Sequence, residues 1–387
     1  MDHQAKIIIG ANYGDEGKGL LSRHFSVQAL AAGRKPVTVL HNGTAQRGHT
    51  VDYTPEMRHV YHHFGSGTLD GVPSFFADSL LVHPMSFRPE YEELSREGAM
   101  PPVYCSPDCV VITPFDMLVD HAIEADIALK SGQREYGSCG YGSWSATDRI
   151  REWPQLAFTV KDFLNKEMYR PLMEQLWKWT EYRAAAFSVE LDRLPRYQTY
   201  FRPGSDRRES LIRHFEEDLH FFMNHVILTS FDNLWNRYDS ILFENAQGLG
   251  LDKDVKSQWH TTSKTGLANP YSLLKDKTDF MAEVIYVTRA YLTRHGVGEL
   301  EGEVRKQDIN VKMHDATNVP NEFQGSLRYG YAEKREQNLR IAEDWAMVEI
   351  DSHFEKSIAV THLNEFPEMR EIGRYVSDSP YSVRERY

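Results

Sequence analysis

Three cysteines in 387 residues (Cys105, Cys109 and Cys139) are too few, and odd in number, for a disulfide-stapled fold. With no cationic-plus-apolar leader after Met1, they point to a reducing, cytoplasmic setting. No apolar run approaches the roughly 18–20 residues that span a bilayer, so no membrane partner is expected. Positive charge is in deficit: 44 Lys+Arg against 56 Asp+Glu leave a formal net charge of −12. That argues against a nucleic-acid partner or an anionic-membrane binder, both of which recruit net positive surface. A locally basic pocket for a small phosphorylated ligand stays open. Apolar residues are not scarce: 41% hydrophobic and 12% aromatic content suffice for a substantial core and argue against wholesale disorder. The length allows two domains, or one large α/β domain with an insertion.

Short β-branched runs recur at wide intervals, at 6–9, 37–40, 80–82, 110–112, 241–243, 284–287 and 358–360. Such runs suit strands buried on both faces, and the intervals leave room for helices. The expected fold class is α/β, a mostly parallel central sheet flanked by helices. Between about 155 and 238 the pattern changes: Met168, Leu172, Leu176 and Trp179 fall at helical spacings, as does a second segment over 211–234. This stretch is expected to be a helical insertion within a single domain, its Trp and Met residues serving as core. The tail, 370–387, reads as solvated surface.

The first strand runs into Gly10-Ala11-Asn12-Tyr13-Gly14-Asp15-Glu16-Gly17-Lys18-Gly19, and a helix is expected over 20–30. Glycines between a strand and a helix N-terminus allow backbone N–H groups to approach an anion. The common phosphate-loop pattern G-x-x-x-x-G-K-S/T fails, because Asn12 and Gly19 stand where Gly and Ser or Thr are needed. The dinucleotide pattern fails as well. Asp15 and Glu16 inside an anion-binding loop imply a metal or a proton-transfer task, the bland alternative being a Gly-rich surface turn. A second cluster, His41 to Thr50, sets His49 between Gly48 and Thr50, where an imidazole could meet a transferring phosphoryl group.

These clusters together resemble the adenylosuccinate synthetase family. Its W-G-D-E-G-K-G-K appears as Tyr13 to Leu20, and its G-H-N-A-G-H-T as Thr44 to Thr50. Phe64-Gly65-Ser66-Gly67 resembles I-P-S-G, and Gly137 to Gly142 resembles the phosphate-binding G-T-T-G-R-G. Further along come Glu244 to Gly248 for E-G-A-Q-G with Thr261-Thr262-Ser263 after it, Ala290 to Arg294 for A-Y-S-T-R, and Thr361 to Asn364 for T-K-L-D. The resemblance implies a two-step ligase. A nucleoside triphosphate phosphorylates O6 of a purine mononucleotide, and the amine of L-aspartate displaces that phosphate.

The resemblance also assigns roles. Asp15, His49 and Gln247 would be catalytic, with Asp15 taking the N1 proton. Mg²⁺ would be held by Asp15 and the Gly48 carbonyl. The triphosphate would contact Gly14, Asp15, Glu16, Gly17, Lys18, Gly19, Gly48, His49, Thr50, Arg328, His362, Leu363, Asn364, Ser377, Ser379 and Pro380. The mononucleotide would meet Asn12, Asp15, Gln46, Arg47, Ser138, Cys139, Gln247 and Thr262, with Arg151 (in preference to Arg149) lent across a homodimer interface. Aspartate would meet Gly325, Ser326 and Arg328.

Departures point to a branch. Asn364 replaces the guanine-reading Asp, and an amide can pair with adenine, so ATP or dATP is the expected donor over GTP. The arginine-rich aspartate loop is shortened to 324–331 and keeps only Arg328. Changes at Gln46, Arg47, Ser138 and Cys139 remodel the purine pocket. Together they are similar to the phage-encoded branch, which converts dGMP into the succinyl precursor of 2-aminoadenine DNA. Retention of Asp15, which several members of that branch replace, keeps the standard enzyme acting on IMP as the alternative. Another phosphate-loop NTPase or kinase is a third reading.

Overall fold

The computed structural model describes residues 2–132, 140–257, 259–311, 313 and 326–386. Its centre is a ten-stranded sheet. From one edge the order is Ser382–Glu385, Tyr375–Ser379, Phe354–Thr361, Phe280–Arg289, His3–Gly10, Ser240–Gly248, Pro36–Leu40, Ser74–Phe76, Val103–Cys105 and Ile227–Leu228. Every neighbouring pair is parallel except the first, which is antiparallel. The mostly parallel α/β architecture is the one that the β-branched runs imply. Its physical basis is burial on both faces: Ile7, Ile8, Ile9, Val37, Val39, Ile241, Val284 and Ile285 are all fully buried.

Two expected strands lie elsewhere. Leu81–Val82 and Val110–Val111 pair with each other in a separate two-stranded sheet. The central sheet instead recruits three short strands, Ser74–Phe76, Val103–Cys105 and Ile227–Leu228, too short to carry a pattern. The tail is also corrected. Tyr375–Ser379 and Ser382–Glu385 form a hairpin on the sheet edge, because Tyr375, Val376 and Val383 are buried there.

The stretch expected to be helical holds Lys166–Ala186, Pro195–Phe201, Asp206–His225 and Phe231–Trp235, and also contributes the edge strand Ile227–Leu228. Met173, Leu176, Trp177, Trp179, Phe215 and Phe222 pack into one core with Phe76, Phe87 and Phe115. Helix Pro114–Ser131 opens on a capping box between Thr113 and Asp116 and closes at Gly132 in the left-handed region. The Asp116 carboxylate also accepts from Arg149 on helix Ser143–Glu152, at 3.0 and 2.9 Å, with both side chains buried.

Candidate active site

The carboxyl ends of the central strands carry the loops that matter, which is where open parallel sheets bind ligands. The register between His3–Gly10 and Ser240–Gly248 slips after Ile8, so Gly10 faces Gly248 and the two chains part into separate loops. No side chain fits at either position. A Cβ on Gly10 would lie 2.6 Å from the Gln247 carbonyl, and one on Gly248 would lie 2.5 Å from the Asn12 carbonyl.

The glycine loop turns through Gly14, Asp15 and Gly17, all at positive φ (95°, 54° and 86°). Side chains from distant strands and one helix hold its carbonyls. Arg289 donates to Asp15 O, Thr361 to Glu16 O at 3.0 Å, and Arg340 to Ala11 O at 3.3 Å. With its carbonyls drawn aside, the loop offers N–H groups to an anion at the start of helix Lys18–Ala31. Lys18 and Glu16 are both buried. Burial lowers the Lys18 ammonium and raises the Glu16 carboxyl to about 7, although each group opposes the shift of the other. A bound phosphate would restore the reason for Lys18 to be charged.

The second cluster packs directly on this helix start: a Cβ on Gly19 would come within 3.1 Å of His49 Cβ. His49 Nδ1 lies 2.5 Å from Glu244 Oε1. Glu244 also accepts from Ser66 Oγ at 2.7 Å and from Ser66 N at 3.0 Å. Burial would push the Glu244 carboxyl up, but the hydrogen bonds from His49 and Ser66 hold it below the usual range. Burial lowers the imidazolium of His49, against the pull of Glu244. The arrangement is a carboxylate holding a neutral imidazole by Nδ1–H. Glu244 and Ser66 entered the sequence reading only as parts of motifs, and their pairing with His49 had no signal there.

Gln46, Gln247 and Ser263 gather beside Gly43. Ser263 Oγ donates to Gln247 Oε1 at 3.4 Å, and Ser143 Oγ donates to Gln46 Oε1 at 3.2 Å. Gln247 adopts φ 64°, and its neighbour Ala246 is held at both backbone polar groups by the Asn42 amide. Thr262 is partly exposed beside Ser263. The Asp15 carboxylate lies 3.4 Å from His295 Nε2 and is 34% exposed.

Two residues expected at the purine are committed elsewhere. Asn12 is buried and spends its amide on Thr288 (2.9 Å) and Arg340 (2.7 Å). Arg47 is buried, its guanidinium on the carbonyls of Asn42 (2.8 Å) and Glu244 (3.4 Å). Arg151 is 67% exposed and bound to Asp148 and Glu152 on its own helix. The expected base-reading residues do come together. Leu363 N donates to Ser377 O at 3.0 Å, Ser377 Oγ to Ser379 O at 2.6 Å, and Asn364 is exposed beside them. Ser326 is exposed, and Arg328 is engaged by Glu303. Ser138, Cys139 and Gly325 lie outside the described residues.

Among the described residues no group of three His, Cys, Asp or Glu side chains could hold a metal by itself. A Mg²⁺ ion that relies on one carboxylate, one carbonyl and phosphate oxygens fits better: the Asp15 carboxylate is partly exposed and Gly48 is exposed, and both offer hard oxygen.

A glycine loop between a buried parallel strand and a helix N-terminus, with a carboxylate-held histidine against it, defines a mostly parallel α/β protein with its candidate site at the carboxyl ends of the strands. The chain belongs to the adenylosuccinate synthetase family, whose profile matches residues 7–331. Among its relatives, the adenylosuccinate synthetase of Synechocystis is 29% identical over 310 residues, covering 78% of this chain and 64% of that protein. That of Aquifex aeolicus is 27% identical over 312 residues, covering 77% and 64%. The chain thus spans less than two thirds of the length of these curated relatives. Two solved structures share the fold. The fully ligated Plasmodium falciparum adenylosuccinate synthetase superposes with a TM-score of 0.68 at 19% identity, over 94% of this chain and 77% of that one. The succinoaminodeoxyadenylate synthetase of cyanophage S-2L, bound to dGMP and to dATP as energy donor, superposes with a TM-score of 0.62 at 15% identity, over 100% and 96%.

Proposed function

We propose that this chain is a carbon–nitrogen ligase that joins L-aspartate to C6 of a 6-oxopurine mononucleotide, with dGMP as substrate and ATP or dATP as donor. The product would be 2-amino-2'-deoxy-N6-succinyladenylate. One observation carries the reading: Asp15 in the glycine loop, Lys18 at the start of the helix after it, His49 packed on that helix start and Gln247 near the end of strand Ser240–Gly248 gather at the carboxyl ends of adjacent strands. Purine O6 becomes a nucleophile only when N1–H is lost, and the Asp15 carboxylate can take that proton. Bound Mg²⁺, held by Asp15 and the Gly48 carbonyl, would supply charge stabilisation for the phosphoryl oxygens. Lys18 and the loop amides hold phosphate, and His49 hydrogen-bonds the group in transfer. Gln247 and Thr262 hold the mononucleotide, with Arg151 reaching a second copy of the chain in a homodimer.

The branch rests on two supports. The chain spans 96% of the cyanophage enzyme but 77% of the Plasmodium one, so its extent is nearer that of the compact form. Asn364, exposed beside Ser377 and Ser379, offers both a donor and an acceptor to an adenine edge. The retained Asp15 favours the second reading, IMP as substrate. We also read 155–238 as an insertion within one domain. The test offers dGMP or IMP separately with Mg²⁺, ATP and L-aspartate, and mass spectrometry reports which purine gains the succinyl group. Succinylation of dGMP alone is expected; succinylation of IMP alone refutes the branch, and of neither, the ligase.

A further inference from the structure

Arg328 begins the strand Arg328–Gly330, and its guanidinium is saturated from within the chain. Nε donates to Glu303 Oε1 at 2.8 Å and Nη2 to Glu303 Oε2 at 2.5 Å. Nη1 donates to the carbonyls of Gly298 at 2.7 Å and Gly296 at 3.1 Å. Glu303 arrives from the neighbouring antiparallel strand Glu303–Val304. On the third strand Arg294 stands opposite Arg328 in register, and its buried Nε has no hydrogen-bond partner among the described residues.

We propose that the carboxylate of Glu303 occupies the fork on Arg328 that a carboxylate of the amino-acid substrate takes, so that Glu303 is an internal competitor setting the affinity for that substrate. This rests on the ligase reading, with Arg328 as a contact of L-aspartate. A guanidinium binds a carboxylate best through two parallel N–H groups, and Glu303 holds the Nε/Nη2 edge. The remaining nitrogen is held by backbone carbonyls, which can leave only if the turn at 296–298 is rebuilt. An incoming carboxylate therefore displaces Glu303 and not the turn. Displacement is cheap: the Glu303 side chain is 45% exposed, and among the described residues it is held by Arg328. Exposed pairs of this kind shift an equilibrium by no more than about fivefold.

The experiment compares the full-length protein with Glu303→Ala and Glu303→Gln. The KM for L-aspartate is expected to fall about twofold to fivefold in Glu303→Ala and by less in Glu303→Gln, which keeps length and one acceptor. The KM for the mononucleotide should move by less than about twofold. An aspartate KM that is unchanged or raised in both variants overturns the proposal and makes the pair a plain cross-strand strut. Succinate, a dicarboxylate without the amine, gives a reading independent of turnover. It should raise the melting temperature of Glu303→Ala at lower concentration than it raises that of the wild type, and equal concentrations count against the proposal. Tighter succinate binding without any succinylated purine would sink the ligase reading and leave the Arg328 fork standing. Turnover without a fall in aspartate KM would do the reverse.

Discussion

Replacing Glu244 by Gln separates a histidine that is merely near the cleft from one that is held for a task. Glu244 accepts three hydrogen bonds, from His49 Nδ1 and Ser66 Oγ on one oxygen and from Ser66 N on the other. An amide has one acceptor oxygen. If it faces His49, the new NH2 group meets the Ser66 N–H and a buried donor goes unsatisfied, at roughly 1–3 kcal/mol. If it faces Ser66 N, the NH2 group meets His49, whose ring must then accept at Nδ1 and carry its proton on the other nitrogen. Either outcome spoils a preset imidazole. By the logic of carboxylate-held histidines, Glu244→Gln should lower turnover by about 10²- to 10⁴-fold while mononucleotide affinity changes by less than about tenfold. Ser66→Ala keeps the backbone donor and loses the hydroxyl, so it should lower turnover by only about 2- to 10-fold. The assay is the initial rate of succinyl-purine formation alongside calorimetric titration of the mononucleotide. Turnover within threefold of wild type in Glu244→Gln would refute the argument, as would a loss of binding as large as the loss of rate.

Asn364→Asp restores two acceptors at the donor base and should shift the GTP-to-ATP rate ratio toward GTP by roughly 5- to 150-fold; an unmoved ratio would take base reading away from this residue. Asp15→Ala should abolish turnover while mononucleotide binding falls less; retained turnover would assign the N1 proton to another group. Arg149→Ala strips a buried guanidinium from Asp116 and from the carbonyls of Val111 and Leu156, and should destabilise the fold by about 3–5 kcal/mol in urea denaturation. Asp120 is buried, and burial raises its folded pKa to about 7 from an ordinary 3.8, against the hydrogen bonds of Ser145. The folded chain therefore binds more protons than the unfolded chain between those values, so this group makes stability fall as pH rises from about 4 to about 7 and levels off above. Asp120→Asn should flatten that slope relative to wild type, and parallel slopes in the two proteins would contradict it.

Which features the sequence made legible follows from how local their causes are. The loop from Gly10 to Gly19 announces itself because its strand, its glycines and its helix are contiguous, and the buried runs at 6–9 and 284–287 carry their own evidence in β-branched residues. Short strands carry none. Ile227–Leu228 joins the sheet because Tyr104 and Cys105 present an open edge, which no two-residue segment can advertise. The tail misleads for the opposite reason: its alternation of charge with Tyr375, Val376 and Val383 is the pattern of a half-covered edge hairpin, yet a charged run without its partner strand resembles solvent-facing chain.

The site shows the same division more sharply. Residue types at Asp15, His49 and Gln247 are visible in sequence, but what sets their geometry comes from afar. Asp15 sits at positive φ with its carbonyl on Arg289, and the neighbouring Asn12 amide is spent on Thr288 and Arg340, hundreds of positions later. An Asn in a glycine loop reads as a ligand contact because its amide is assumed to be idle. Here it is a strut, and so is the inward-turned Arg47. A parallel sheet makes this outcome general. Strands adjacent in space are distant in the chain, so each loop at the carboxyl edge is braced by side chains from loops that sequence order keeps apart. The residues that touch a ligand can be read in short motifs, whereas the residues that hold them still cannot. In this chain the second group includes Arg289 and Arg340.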